Sequence, residues 1–247
     1  MKETLASSER TCDKNHKYIV CSQCAMQPIC KPVQREQTSL NISDNYLSKR
    51  IDSSTNEVLF AQNQPLTAIY AVCSGAYKLT QCNRLNEEKI VGFRFPGELI
   101  GEDAIHPKAY AYNAIALNES SVCKVNIKEL KACSQVVPDL QLSLIDLLTK
   151  QSAMSQSQFQ SFIAKKTAES LIAAFILNII QRKSVYDHQG GEVKLTISRD
   201  NIANFLGLRR ETLSRIISKF QKERYIKQSG KQLSILNKNA LIALANL

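Results

Sequence analysis

The stretch CSQCAMQPIC, Cys21 to Cys30, holds three cysteines at the spacing C-x2-C-x5-C. Cysteine thiolates are ligands of zinc and of iron–sulfur clusters, and both kinds of site usually take four donors. Structural zinc sites tend to come as two short pairs, and no second C-x2-C pair follows here. His16 would have to fold back to complete a zinc site of three cysteines and one histidine. Three cysteines in a loop with one remote cysteine suit a [4Fe–4S] cube better, with zinc binding and free thiols as the other uses of the same residues. Cys12, Cys73, Cys82, Cys123 and Cys133 compete for the fourth place. The residues alone do not choose among them, since a single cysteine is most often a small buried hydrophobe.

A second stretch carries a different chemistry. TISRDNIANFLGLRRETLSRIISKFQKERYI, Thr196 to Ile226, predicts two helices about a glycine turn. Ser198 caps the first, which carries Ile202, Phe205 and Leu206, and Gly207 makes the turn. The second starts near Arg209 and places Leu213, Ile216, Ile217 and Phe220 at i, i+3, i+4 and i+7, one buried stripe. Glu211, Ser214 and Arg215, at i, i+3 and i+4, share a different, exposed face, and Arg210 stands at the helix N-terminus beside them. That is the helix-turn-helix plan for reading a DNA groove. Arg donates twice to guanine, Glu accepts from cytosine, and Ser meets either partner of an A·T pair. Lys219, Lys222, Arg224 and Lys231 are available for phosphates, and YIKQSGKQLSIL predicts a hairpin wing turning at Ser229-Gly230.

Charge supports this division. After residue 164 the chain carries 15 Lys+Arg against 6 Asp+Glu; before it, 17 against 16, so nearly all of the net +10 lies in the last third. A basic block on an otherwise neutral chain suits a polyanionic partner. The polar N-terminus MKETLASSERTCDKN has no leader-like apolar core, and the longest apolar run, LIAAFILNII, is too short to span a bilayer. A soluble, cytoplasmic chain is expected, its eight cysteines mostly reduced. An enzyme is not expected. There is no Ser/His/Asp set, no Walker loop and no dinucleotide fingerprint, and the histidines are only His16, His106 and His188.

The elements that must position these residues follow from periodicity. Residues 1–35 lack a regular pattern, and residues 36–55 carry a weak helical one. From Glu57 to about Leu130 short β-like runs alternate with turns: VLF, AIYAV, AYKLTQC, KIVGFRF, YNAIAL and SVCKVNI. They predict a β-barrel or sandwich, with PGELIG as a turn. From Pro138 a helix of about 25 residues is expected, Leu140, Leu144, Ile145, Leu147 and Leu148 giving it an apolar face. A dimer seam is the favoured use of that helix. DHQGGEV, Asp187 to Val193, is expected to be a loop.

Taken together these residues resemble the FNR-type oxygen-sensing regulators of the CRP/FNR transcription factor superfamily. The likeness runs through CSQCAMQPICKP, AIYAVCSG (Ala68–Gly75), GFRFPGELIGEDAI (Gly92–Ile105), SSVCKVNIKEL (Ser120–Leu130), AKKTAESLIAAFILNI (Ala164–Ile179) and RDNIANFLGLRRETLSRIISKFQK. The resemblance implies an α+β chain in four parts: a cluster-binding segment 1–35, a β-roll of the cyclic-nucleotide-binding type at 36–137, a dimerisation helix at 138–164, and a winged helix-turn-helix at 165–247. It implies Cys123 as the fourth cluster ligand beside Cys21, Cys24 and Cys30. It further implies a homodimer on palindromic DNA with TTGAT-like half-sites, contact with RNA polymerase, and loss of DNA affinity when oxygen converts the cluster. The segment Asn83–Lys89 falls where the family touches polymerase.

The chain departs from the family in two places. Arg210 replaces an apolar residue, so an altered preference at one base pair, or a phosphate contact, is expected. Residues 147–168 contain no Asp or Glu, whereas the family has a repelling acidic residue in its dimer helix; a metal-free form that dimerises more readily is expected. HPKAYAYNAIAL lacks the Arg-Ser/Thr pair that binds a cyclic phosphate, so no cyclic nucleotide is expected.

Overall fold

A computed structural model describes residues 19, 21–31, 33, 48–83, 87–163, 167–184, 192–194, 197–230 and 232–245. Cys12, His16, His188, Lys231 and the start of DHQGGEV lie outside the described residues, while Glu192–Lys194 is a strand rather than loop.

Eight strands form the N-terminal half: β1 (Ser48–Ser53), β2 (Val58–Phe60), β3 (Ala68–Ser74), β4 (Tyr77–Cys82), β5 (Glu88–Arg94), β6 (Leu99–Ile100), β7 (Asn113–Ala116) and β8 (Ser120–Asn126). They make two four-stranded sheets, ordered β1-β8-β3-β6 and β2-β7-β4-β5. β3 is buried along its whole length because both its faces are covered. Ala68, Tyr70 and Val72 face an interior built with Phe60, Tyr77, Tyr110 and Tyr112. Ile69 and Ala71 face outward into a second apolar cluster, with Met26, Ile29, Val33, Leu99, Val125, Leu130, Leu140 and Leu147. Gly75 makes the β3–β4 turn at φ +76°, where an added Cβ would stand 2.1 Å from Ser120 Oγ.

Three local expectations fail. Residues 48–53, inside the weakly helical stretch, form strand β1, because pairing with β8 outweighs a weak local preference. PGELIG is a turn only at its start; Leu99 and Ile100 pair with β3 as β6. The N-terminal segment is not irregular throughout, since residues 21–23 make a 3₁₀ turn and residues 27–31 a short helix, α1.

Helix α2 (Ile127–Val136) leaves β8 directly, with Asn126 Oδ1 accepting from the Lys128 amide as its cap. Helix α3 (Pro138–Ile163) is the long helix expected from Pro138, proline suiting a first helical turn whose N–H needs no partner. It has two apolar faces rather than one. Leu140 and Leu147 pack on the β-roll cluster with Leu144 against them, while Leu142 and Ile145 stand 66% and 59% exposed and Met154 is exposed further along.

The C-terminal half comprises α4 (Ala168–Ser184), β9 (Glu192–Lys194), α5 (Arg199–Leu206), α6 (Arg210–Lys222), β10 (Ile226–Ser229), β11 (Gln232–Ile235) and α7 (Lys238–Ala245). The strands form one small sheet, β10-β11-β9. Its core is continuous with the edge of the β-roll: Ile90, Phe93 and Phe95 share a cluster with Ile172, Phe175, Ile202, Leu213 and Phe220. Among the described residues no helix is long and apolar enough to cross a membrane.

Candidate metal centre and nucleic-acid interface

The cysteine loop is seated on the outer face of the β3–β8 pair by its own apolar residues. Met26 and Ile29 are fully buried. The Ile19 amide donates to the Cys73 carbonyl at 3.0 Å, and the Ala25 amide to that of Gly97 at 3.1 Å. Cys21 begins the 3₁₀ turn and is exposed, while Cys24 and Cys30 are half-buried against the same apolar cluster. Cys123 reaches that cluster from the middle of β8, with Arg50 of β1 on one side of it and Ala71 of β3 on the other.

The electrostatics tie several of these sulfurs together. Burial pushes the Cys24 thiol up to about 12, and the sulfurs of Cys123 and Cys21 add to the rise. Hydrogen bonds from the Met26 and Gln27 backbones oppose it; they would support a thiolate at this position. The Cys73 thiol is also held well above its ordinary range, first by a hydrogen bond with Cys123, then by burial and by the charges of Cys123 and Cys24. Cys133 is buried on α2 in the same cluster, and Cys82 is exposed at the far end of β4 opposite Glu88.

The structure therefore brings Cys21, Cys24 and Cys123 into one neighbourhood and puts Cys30 on the same apolar seat. It also puts Cys73 beside Cys123, a thiol that spacing along the chain could not single out among the five remote cysteines. The donor set is soft sulfur under an apolar cover, which fits an iron–sulfur cluster or zinc and does not fit a hard cation. Among the described residues, no three His, Cys, Asp or Glu side chains stand close enough to hold a metal ion. The thiols are collected in one place without being closed around one point.

The second site is the pair α5–α6. Ser198 Oγ accepts from the Asn201 amide at 3.2 Å. Gly207 ends α5 in the left-handed region at φ 69°, a conformation that glycine adopts without strain. Leu213, Ile216, Ile217 and Phe220 are buried as their spacing required. Arg210, Glu211 and Arg215 are exposed and Ser214 is half-buried. Arg210 pairs with Asp200 at 3.3 Å, both side chains being about 60% exposed, and such a surface pair is surrendered to a phosphate or base at little cost. Arg199 donates to Ser214 Oγ at 3.4 Å, so Ser214 is already oriented. Of the residues proposed for phosphates, Lys219 is bound to Glu169 at 2.9 Å. Lys222 and Arg224 are exposed.

The edge of the β-roll and the helix-turn-helix are physically connected. The Ile90 amide of β5 donates to Asn204 Oδ1 at 2.7 Å, Asn204 donates to the Glu88 carbonyl at 3.1 Å, and Lys89 donates to the Asn204 carbonyl. Phe205 of α5 packs among Phe93, Phe162 and Phe175, from β5, α3 and α4. These contacts join residues from 30 to 116 positions apart, so periodicity gives no hint of them.

Comparison with known proteins agrees with both halves. A Crp-like helix-turn-helix domain model matches residues 172–244, and a cyclic nucleotide-binding domain model matches residues 51–135. The chain is 32% identical to the transcriptional activator protein anr of Pseudomonas aeruginosa, covering 91% of this chain and 92% of that one. It is 33% identical to the fumarate and nitrate reduction regulatory protein of Salmonella typhi, covering 92% of this chain and 90% of that one. Among solved structures, FixK2 from Bradyrhizobium japonicum superposes with a TM-score of 0.71 at 22% identity, over 80% of this chain and 97% of that one.

Proposed function

The chain belongs to the CRP/FNR family of transcription regulators, and on that footing we propose a DNA-binding homodimer whose DNA affinity depends on an oxygen-labile [4Fe–4S] cluster held by Cys21, Cys24, Cys30 and Cys123. It acts as a regulator and not as an enzyme. One observation carries the reading: the cysteine loop and the root of α3 share a single apolar cluster, in which Met26 and Ile29 pack with Leu140 and Leu147. A cluster, when bound, supplies a centre that oxygen destroys. While their thiols are held, Cys21, Cys24 and Cys30 tie the loop to Cys123 on β8, and Met26 and Ile29 stay seated against α3. Once the thiols are released, the loop keeps that packing and the backbone hydrogen bonds of Ile19 and Ala25 but loses its tie to Cys123, and α3 loses part of its support. The link between the two sites is then a difference in stability between a seated and an unseated loop.

In the same proposal the four parts are residues 1–35, 36–137, 138–164 and 165–247. The exposed Leu142, Ile145 and Met154 of α3 form the dimer seam. Arg210, Glu211, Ser214 and Arg215 read TTGAT-like half-sites of a palindrome, with Arg210 shifting the preference at one base pair. RNA polymerase is the partner expected at Asn83–Lys89; residues 84–86 of that segment are not described, and its end is engaged elsewhere, since Glu88 pairs with Lys78 at 2.8 Å and Lys89 bonds Asn204.

The test is to purify the protein without oxygen and record its visible absorption, iron and acid-labile sulfide. Its affinity for a randomised DNA pool is measured before and after air, with Arg210→Val alongside. A brown protein with about four irons per chain, bleaching in air and losing DNA affinity, is expected. A colourless protein, with zinc or no metal, that binds DNA equally in both states would remove the oxygen switch. Selection of the same DNA sites by Arg210→Val would remove that residue from base reading.

The metal-free form is expected to dimerise at micromolar concentration, because residues 147–168 carry no acidic side chain to repel the partner helix. Analytical ultracentrifugation of the metal-free protein showing only monomer would count against the α3 seam as drawn.

A further inference from the structure

We propose that Cys73 is a fifth thiol of the cluster site, able to take the fourth ligand position when Cys123 is absent. The inference rests on the cluster reading above. It starts from the register of β3 and β8. Ala71 pairs with Cys123 and Val72 with Val122, and then the register shifts so that Ser74 pairs with Ser121. Cys73 is the extra residue of this bulge. A bulge leaves one residue out of the ladder and re-aims its side chain.

The Cys73 side chain meets Cys123 in a hydrogen bond and lies within electrostatic reach of Cys24. The Cys73 S–H donates to the Ala71 carbonyl, with Sγ 3.7 Å from the oxygen. The loop that carries Cys21, Cys24 and Cys30 is anchored at this same residue, through the Ile19 amide on the Cys73 carbonyl at 3.0 Å. The other remote thiols among the described residues lack this placement. Cys82 lies across from Glu88 at the end of β4, and Cys133 is buried 1% exposed on α2.

The chemistry is simple exchange. With Cys123 in place, Cys73 stands beside it as a spare thiol bonded to the Ala71 carbonyl. With Cys123 replaced, Cys73 loses its proton to solvent and binds iron through the freed sulfur lone pair, with no change in oxidation state.

The test compares full-length wild type with Cys73→Ser, Cys123→Ser and Cys73→Ser/Cys123→Ser. All are prepared without oxygen and reconstituted with ferrous iron and sulfide. Iron and sulfide per chain and visible absorption are read, and circular dichroism confirms the fold. The same set made with alanine repeats the test without a hydroxyl. Cys73→Ser is expected to load like wild type, Cys123→Ser to keep more than about half of the iron, and the double variant to fall below about one tenth. Cys123→Ser as empty as the double variant would overturn the proposal while leaving the cluster reading intact. So would a double variant that loads as well as Cys123→Ser, or Cys73→Ser that loads none. Wild type that takes up no iron would overturn the cluster reading and this inference with it.

Discussion

Replacing Glu98 by alanine should lower the unfolding free energy by about 3–5 kcal/mol, the range for a buried ion pair that loses one partner. Glu98 lies just before β6 and Arg182 near the end of α4. Their side chains are 9% and 12% exposed, and Arg182 Nη2 stands 2.6 Å from Glu98 Oε2. The pairing is two-pronged, because Arg182 Nε also donates to Glu98 Oε1 at 2.7 Å. The remaining valences are used: Arg182 donates to the Phe93 carbonyl at 2.7 Å, the Phe95 amide donates to Glu98 Oε2 at 3.0 Å, and the guanidinium sits 4.9 Å from the centre of the Phe95 ring. Alanine at position 98 would leave the guanidinium with the Phe93 carbonyl, the Asn178 side-chain oxygen at 3.3 Å and the Phe95 ring.

For a chain of this size such a loss corresponds to a fall in melting temperature of roughly 10 °C. Arg182→Lys should also be costly, since an ammonium cannot reproduce the fork. A paired apolar replacement, Glu98→Leu with Arg182→Met, should restore much of the loss, because two desolvated charges gain little over a well-packed pair of their own volume. Chemical denaturation of the four proteins decides the matter. A Glu98→Ala loss below about 1 kcal/mol would show that this bridge between the β-roll and the winged-helix half carries no weight.

Ile29→Ala acts elsewhere and differently. Ile29 is fully buried between the cysteine loop, the β-roll and the start of α3. Truncating a buried isoleucine costs about 2–5 kcal/mol when the site cannot collapse. Here the segment is short and lies on the surface of the β-roll, so the expected result is local release rather than global unfolding. Amide exchange across residues 21–31 should accelerate about 30- to 5000-fold while the melting temperature of the rest moves little. Alkylation of Cys24, half-buried in the native chain, should accelerate with it. Unchanged exchange in the loop would mean that Met26 and the two backbone bonds suffice to seat it. The coupling from cysteines to α3 would then need another route.

Much of this protein is determined by its sequence alone, and the reason is the range over which the signals act. The helix-turn-helix lies within about thirty consecutive residues, and each decisive feature is local: a capping serine, a turn glycine, an apolar stripe with a period of 3.6. Ser198, Gly207 and the stripe from Leu213 to Phe220 occupy the places that these rules assign. The β-runs and the start of the long helix at Pro138 are local in the same way. Strand β1 and helix α2 were not legible, because one is held by a partner more than sixty residues away and the other follows β8 without a turn signal.

The cysteine site divides along the same line. Spacing along the chain keeps Cys21, Cys24 and Cys30 near each other, since they share a stretch of ten residues. It leaves five candidates for the fourth place. Only strand pairing, in which β3 and β8 meet across about fifty residues of chain and bulge at Cys73, brings Cys73 and Cys123 to the loop and carries Cys82 away. The ion pair of Glu98 with Arg182 and the clamp at Asn204 belong to the tertiary structure for the same reason. Periodicity reports which face of an element is buried, and only the packed chain decides what that face is buried against.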